Sequence, residues 1–180
     1  DIFLYNIDID TTSSEDRIGL TFSFDDNINE QNYYRLKLFS SCTKSWYNEY
    51  GDLVESDRFR GDTWSWFFSN DPSFPSGIPF DGYTFEGNTV VFTDALFNGQ
   101  KKTITLDIES ELKYADCDTV IIRFSNFSDD TYRYYRSLED HVEKGEVDIF
   151  GGEVIPVYSN VTNGLGVLIS VNAQNVYLKP

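Results

Sequence analysis

The stretch Ile18-Gly19-Leu20-Thr21-Phe22-Ser23-Phe24 decides the fold class. Its apolar side chains fall on every second position, and an extended strand sends such residues to one face. Glycine, threonine and serine fill the other face, so the stretch reads as a strand with one face buried and one wet. The same period recurs at Phe3, Tyr5, Ile7 and Ile9, at Tyr34, Leu36 and Leu38, and at Ile104, Leu106 and Ile108. It returns at Val120, Ile122 and Phe124, and at Leu165, Val167, Ile169 and Val171. Thr89 to Thr93 adds a further short strand, while the polar clusters Asp25 to Gln31 and Phe97-Asn98-Gly99-Gln100 separate neighbouring runs as turns. This pattern predicts an all-β chain folded as an antiparallel β-sandwich, Ig- or fibronectin-like in strand order. A closed lipocalin-like β-barrel is the alternative that meets the same alternation.

Two segments depart from the pattern. Asp129 and Asp130 can cap a helix over about 130–144, in which Tyr132, Tyr135, Leu138 and Val142 recur at helical spacing and Gly145 supplies the stop. One helix inserted before the final strand is expected to plug an open end or cover a sheet edge. Residues 43–87 scatter aromatic rings among Gly, Pro, Asp and Ser with no clean period. A connection of that length is functional or hides irregular strands. The whole of 1–180 is read as one sandwich domain carrying this insertion and this helix.

With 180 residues, 40% of them hydrophobic, the chain can bury a sizeable core without metals or many disulfides. Thirty acidic against fourteen basic residues give a formal charge of −16, a field that repels phosphate backbones and anionic headgroups. Nucleic acid is therefore excluded as a partner. No run approaches the roughly 20 apolar residues that span a bilayer. Abundant Tyr, Asn, Ser and Thr and an even pair of cysteines lean towards an extracytoplasmic protein.

His141 is the only histidine, beside Asp140 on the predicted helix, so a zinc site of the usual two or three histidines is excluded and a Ser/His/Asp set could use only this residue, which reads as an ordinary surface helix histidine. No G-x-S-x-G, P-loop or dinucleotide fingerprint occurs. Asp25-Asp26-Asn27-Ile28-Asn29-Glu30 starts like a calcium loop but carries Glu30 where the turn glycine belongs and Leu36 where the bidentate glutamate belongs; it reads as a polar hairpin turn. Thirty acids always offer a carboxylate pair, so pairing alone does not mark a hydrolase. No catalytic residue, metal or cofactor is assigned.

Tryptophan and tyrosine suit stacking on sugar rings or anchoring an interface. Trp46, Trp64, Trp66 and Phe67 are the candidate ligand- or partner-binding residues, and Trp64-Ser65-Trp66 puts both indoles on one face if extended. A core strand shows the same alternation, so most of the rings are expected inside and one or two at the surface. Cys42 and Cys117 are candidates for a disulfide. If the strand ending near Cys42 pairs with the one starting near Val120, as third and sixth strands do in Ig-like sandwiches, the two cysteines meet at one end of the sheet. Two buried thiols are the other reading.

Four segments, Asn32-Tyr33-Tyr34-Arg35-Leu36, Phe92 to Gly99, Tyr132-Arg133-Tyr134-Tyr135-Arg136-Ser137-Leu138 and Tyr158 to Gly166, carry a resemblance to the DUF4249 family of Bacteroidota lipoproteins. The likeness spans roughly Arg17 to Val171, the last segment being the most specific. The resemblance implies a C-terminal part of a lipoprotein anchored upstream on the outer membrane or cell surface of a Gram-negative bacterium. It also implies a gene neighbour, a TonB-dependent outer-membrane transporter. It transfers no functional residue.

The first functional expectation is thus a non-catalytic binding or accessory domain working with such a transporter in nutrient uptake. A stand-alone carbohydrate- or peptide-binding module is the second and an unrecognised carboxylate hydrolase the third.

Overall fold

The structure, a computed structural model, describes residues 3–14, 17–61, 65–75, 82–110, 117–145, 156–164 and 166–178. Its strands are β1 (Tyr5–Ser14), β2 (Arg17–Asp25), β3 (Tyr33–Tyr47), β4 (Leu53–Gly61), β5 (Ser65–Ser69), β6 (Phe85–Gly87), β7 (Thr89–Thr93), β8 (Lys101–Ser110), β9 (Cys117–Phe127) and β10 (Val171–Leu178). The helix α1 (Asp129–Gly145) lies between β9 and β10. One sheet runs β1-β2-β8-β5-β6. The other runs β10-β9-β3-β4, with β7 on the same edge of β3 that β4 extends further along. The pairings are antiparallel and the sheets do not close into a barrel. Taking β1, β2, β5, β8 as strands A, B, D, E and β3, β9, β10 as C, F, G, this is the Ig strand order.

The core lies between the two sheets and follows the period read from the sequence. Leu20, Phe22 and Phe24 of β2 and Ile104, Leu106 and Ile108 of β8 are fully buried and meet Tyr34, Leu36 and Leu38 of β3 and Val120, Ile122 and Phe124 of β9. Tyr34 sits among rings, with centroids 4.9 Å from Phe24 and 5.4 Å from both Phe92 and Phe124. Its hydroxyl donates to Asp26 at the end of β2.

Asp25 to Gln31 is not a hairpin turn: β2 and β3 belong to different sheets, so this connection crosses the sandwich, as does Phe97 to Gln100 between β7 and β8. The two crossings are joined. Asp26 accepts the Gly99 N–H at 2.8 Å, and its own N–H donates to the Gln100 carbonyl at 3.2 Å. The other polar side chains of the first crossing bond to one another, Asn27 accepting from Asn29 and donating to Glu30.

The final strand falls later than the alternation at Leu165, Val167, Ile169 and Val171 predicts. Leu168 and Ile169 are exposed, and β10 begins only at Val171, with Val176 and Leu178 as its buried residues. The cause is hydrogen bonding: Ser170 is tied to Thr131 of α1 and Leu168 to Asn160, which draws this stretch away from β9. Leu165 lies outside the described residues. Positive φ flanks it, at Asn163 (59°) on one side and Gly166 (126°) on the other.

The aromatic insertion 43–87 contains the end of β3 and the strands β4, β5 and β6. Its rings divide between core and surface. Phe67 and Phe74 join the core cluster, whereas Trp46, Tyr47, Tyr50 and Trp66 stay exposed.

Candidate functional site

Helix α1 neither plugs an open end nor covers an edge; it lies on the outer face of the β9-β3 sheet. Odd-numbered positions of β3 point outward, so Tyr33 and Phe127, paired across β3 and β9, present rings to the helix. Tyr132 stacks on Tyr33 with centroids 4.4 Å apart and planes at 24°, and Tyr135 packs 5.6 Å from Phe127. The N-cap is Ser128 rather than an aspartate: its Oγ accepts the Thr131 N–H at 3.3 Å. Asp129 and Asp130 then occupy the first turn, where carboxylates meet the positive end of the helix dipole.

Each first-turn aspartate also holds a distant segment. Asp129 accepts from the Tyr33 hydroxyl at 2.8 Å and pairs with Arg133 at 2.8 Å. Burial, with help from the hydrogen bond to Asp129, pushes the Tyr33 phenol up to about 12. Asp130 accepts from Tyr158 Oη at 2.5 Å and from Asn160 Nδ2 at 3.1 Å, and these bonds hold its carboxyl below the usual range. Asn160 closes its own loop by bonding both the N–H and the carbonyl of Leu168. Asn32, meanwhile, donates its N–H to the buried Asp94 at 2.7 Å. The four segments singled out in the sequence are therefore linked in space: those around Tyr33 and Tyr158 fasten α1 to the sheet, and Asp94 ties the Phe92 to Gly99 segment to Asn32.

Beneath α1 a cleft of about 500 Å3 opens between the helix and β3 and β7. Arg35, Lys37, Val91, Tyr135, Leu138 and Val142 line it. The Arg35 guanidinium lies between two rings, 5.3 Å from the Phe127 centroid and 5.1 Å from that of Tyr135. Sequence reasoning assigned Arg35 and Tyr135 no role, because their meeting depends on where the helix lands.

The three described aromatic candidates, Trp46, Trp66 and Phe67, are not brought together. Trp46 is on β3 across from Glu55 of β4, in the sheet with β9, and is 40% exposed. Trp66 is on β5 across from Glu109 of β8, in the opposite sheet, and is 46% exposed. Phe67 is 1% exposed, so it is a core residue and not a surface anchor; its partner Ile108 faces inward and takes Phe67 with it. Trp64 lies outside the described residues. His141 is exposed near the end of α1.

What the sequence missed is the tip of the β3-β4 hairpin. Five large apolar side chains, Trp46, Tyr47, Tyr50, Leu53 and Val54, are exposed within residues 46–54, Tyr50 at 82%. The turn is held by Asn48: its Oδ1 accepts the N–H groups of Tyr50 and Asp52 at 2.9 Å each, and its Nδ2 donates to Asp52 at 3.2 Å. Tyr47 pairs with Leu53 across the hairpin, and Trp46 leaves by the other face. The tip is thus apolar on both faces and locally built.

Cys42, buried on β3, stands directly across from Cys117 on β9. Ser41 pairs with Thr119, so Asp118 is the extra residue of a bulge, and that bulge brings the two cysteine positions into register. Among the described residues no group of three His, Cys, Asp or Glu side chains is placed to hold a metal ion. No helix among them is long and apolar enough to cross a membrane.

An Ig-ordered sandwich with a helix fastened over the outer face of one sheet defines the class of this protein. The chain belongs to the DUF4249 family, whose model, described as a domain of unknown function, matches residues 4–175. No curated protein and no solved structure matches it.

Proposed function

We propose that this chain is a non-catalytic, extracytoplasmic binding or accessory domain, anchored upstream to the outer membrane, that docks on a TonB-dependent transporter and serves its uptake of a nutrient. The observation that carries this reading is the β3-β4 tip. Large apolar side chains held out in water by a hydrogen-bonded turn gain nothing for the fold that carries them, and exposed clusters of this kind mark interaction sites. Because both faces of the tip are apolar, a concave partner buries it more completely than a flat one. The chain's charge of −16 favours a partner surface with basic residues around that concavity.

A bridge between Cys42 and Cys117 belongs to the same reading, since disulfides persist in extracytoplasmic compartments. It is supported by the aligned register and by the lack of a free cysteine among the described residues. The experiment is affinity purification of the lipidated full-length protein from detergent-solubilised outer membranes. The transporter encoded beside it should be retained at near-equal amounts. Its absence, with other outer-membrane proteins recovered intact, would count against the proposal.

A further inference from the structure

We propose that the cleft under α1 binds a small organic carboxylate with an apolar body, and that Arg35 receives the carboxylate group.

The first observation is an unpaired donor on a cation. Arg35 Nε is shielded from solvent and has no hydrogen-bond partner. Stacking between Phe127 and Tyr135 occupies the flat faces of the group and leaves Nε, on its edge, as a donor not spent on the described residues. The second is on the neighbouring strand. Ser125, the β9 residue paired with Arg35, is fully buried, and its Oγ also lacks a partner. Buried polar atoms are seldom left unpaired, and two of them at one position of the ladder point to a group that the described residues do not supply.

The cleft suits such a group. About 500 Å3 is within the range of small-molecule sites. Arg35, Lys37 and Arg136 line it with a single acid, Glu139, in a chain of net charge −16. Glu139 is already paired with Arg136 at 2.7 Å, so the acid does not cancel Arg35. Val91, Leu138, Val142 and Phe85 supply the apolar walls. A planar carboxylate matches the fork of a guanidinium held in a fixed plane, and the walls take up the hydrocarbon.

The test uses the 15N-labelled full chain and two matched probes, 3-phenylpropionate and its neutral amide, in millimolar titrations followed by amide shifts. The carboxylate should move the resonances of Arg35, Val91, Tyr135 and Leu138, with the amide at least tenfold weaker. In Arg35→Leu, which keeps the packing between the rings, that preference should disappear while the rest of the spectrum stays unchanged. Equal binding of the two probes, shifts confined to other parts of the domain, or no shifts up to the solubility limit would each overturn the proposal. The discrimination is read in the unaltered protein, so it stands even where Arg35→Leu folds poorly.

Discussion

Asp94 and Asn32 lie 62 positions apart in sequence, yet the carboxylate of the first accepts the backbone N–H of the second at 2.7 Å in a place where both side chains are buried. The Asp94 N–H returns a bond to the Asn32 carbonyl at 3.2 Å, so the start of β3 is held to the end of β7 from both sides. Replacing Asp94 by alanine removes a charge-assisted acceptor and leaves a buried N–H unpaired, at a cost of roughly 2–3 kcal/mol. Urea unfolding of Asp94→Ala should show a lower midpoint with an unchanged slope. A midpoint equal to that of the unaltered protein would mean the pair contributes nothing.

Gly99 has φ at 72°, and a Cβ built there would stand 2.6 Å from Ile28 Cβ. Gly99→Ala therefore combines left-handed strain, about 1–2 kcal/mol, with a clash that moves the crossing loops apart and weakens the bond from the Gly99 N–H to Asp26. The expected result is a fall in thermal midpoint larger than that of an alanine substitution at Gly51, which has φ of 86° but nothing within 4 Å of its Cβ. Equal falls at the two glycines would show that the clash carries no energy.

Among the tyrosines whose phenols are raised, Tyr33 and Tyr34 are the two shifted chiefly by burial, and they contribute to an alkaline limit of stability. Tyr33 is raised to about 12 by burial and then by its bond to Asp129, and Tyr34 is raised as well, by burial first and then by its bond to Asp26. An unfolded tyrosine ionises near ~10, so above that pH the unfolded chain loses protons that the folded chain keeps. The stability these phenols contribute is full below ~10 and is lost as pH rises towards 12. Unfolding free energies measured at several pH values from 8 to 11.5 should fall in this window, and Tyr33→Phe should flatten the decline. An unchanged slope in the variant would remove Tyr33 from the explanation.

The disulfide is tested by thiol titration of the unfolded, unreduced protein isolated under oxidising conditions, which should find no free thiol. Reduction should then lower stability by up to about 4 kcal/mol, the chain-entropy value for a loop of this length. Two titratable thiols before reduction would contradict the bridge.

How much of this was legible in the sequence depended on whether a strand has one buried face. β2, β8 and β9 do, and Phe22, Ile104 and Ile122 fall on the period that predicts them. β4 is exposed over Leu53 to Asp57, so that stretch shows no buried set to alternate. β10 carries Asn172, Gln174 and Asn175 and buries only Val176 and Leu178, whereas the stretch just before it alternates well and stays in water. The helix was visible from its period and its stop, but Ser128 as cap was not, because Asp129 and Asp130 are equally good capping residues. Of the two surface sites only Trp46, at the hairpin tip, was named in advance. The cleft needs α1 over Phe127, a tertiary fact, and the aromatic residues of the hairpin tip look the same in sequence as Phe67, which the core takes.

The proposed role of the β3-β4 tip as a docking element is tested most directly by one measurement: the affinity of the protein for the purified TonB-dependent transporter that the proposal assigns to it, in nanodiscs, with and without Tyr47→Ser, Tyr50→Ser and Leu53→Ser together. These side chains are exposed, so the thermal midpoint of the variant should stay near that of the unaltered protein. Loss of buried aromatic anchors at an interface costs roughly 2 kcal/mol or more, so the account predicts binding at least thirtyfold weaker. Equal affinity of the two proteins, at equal stability, would contradict it.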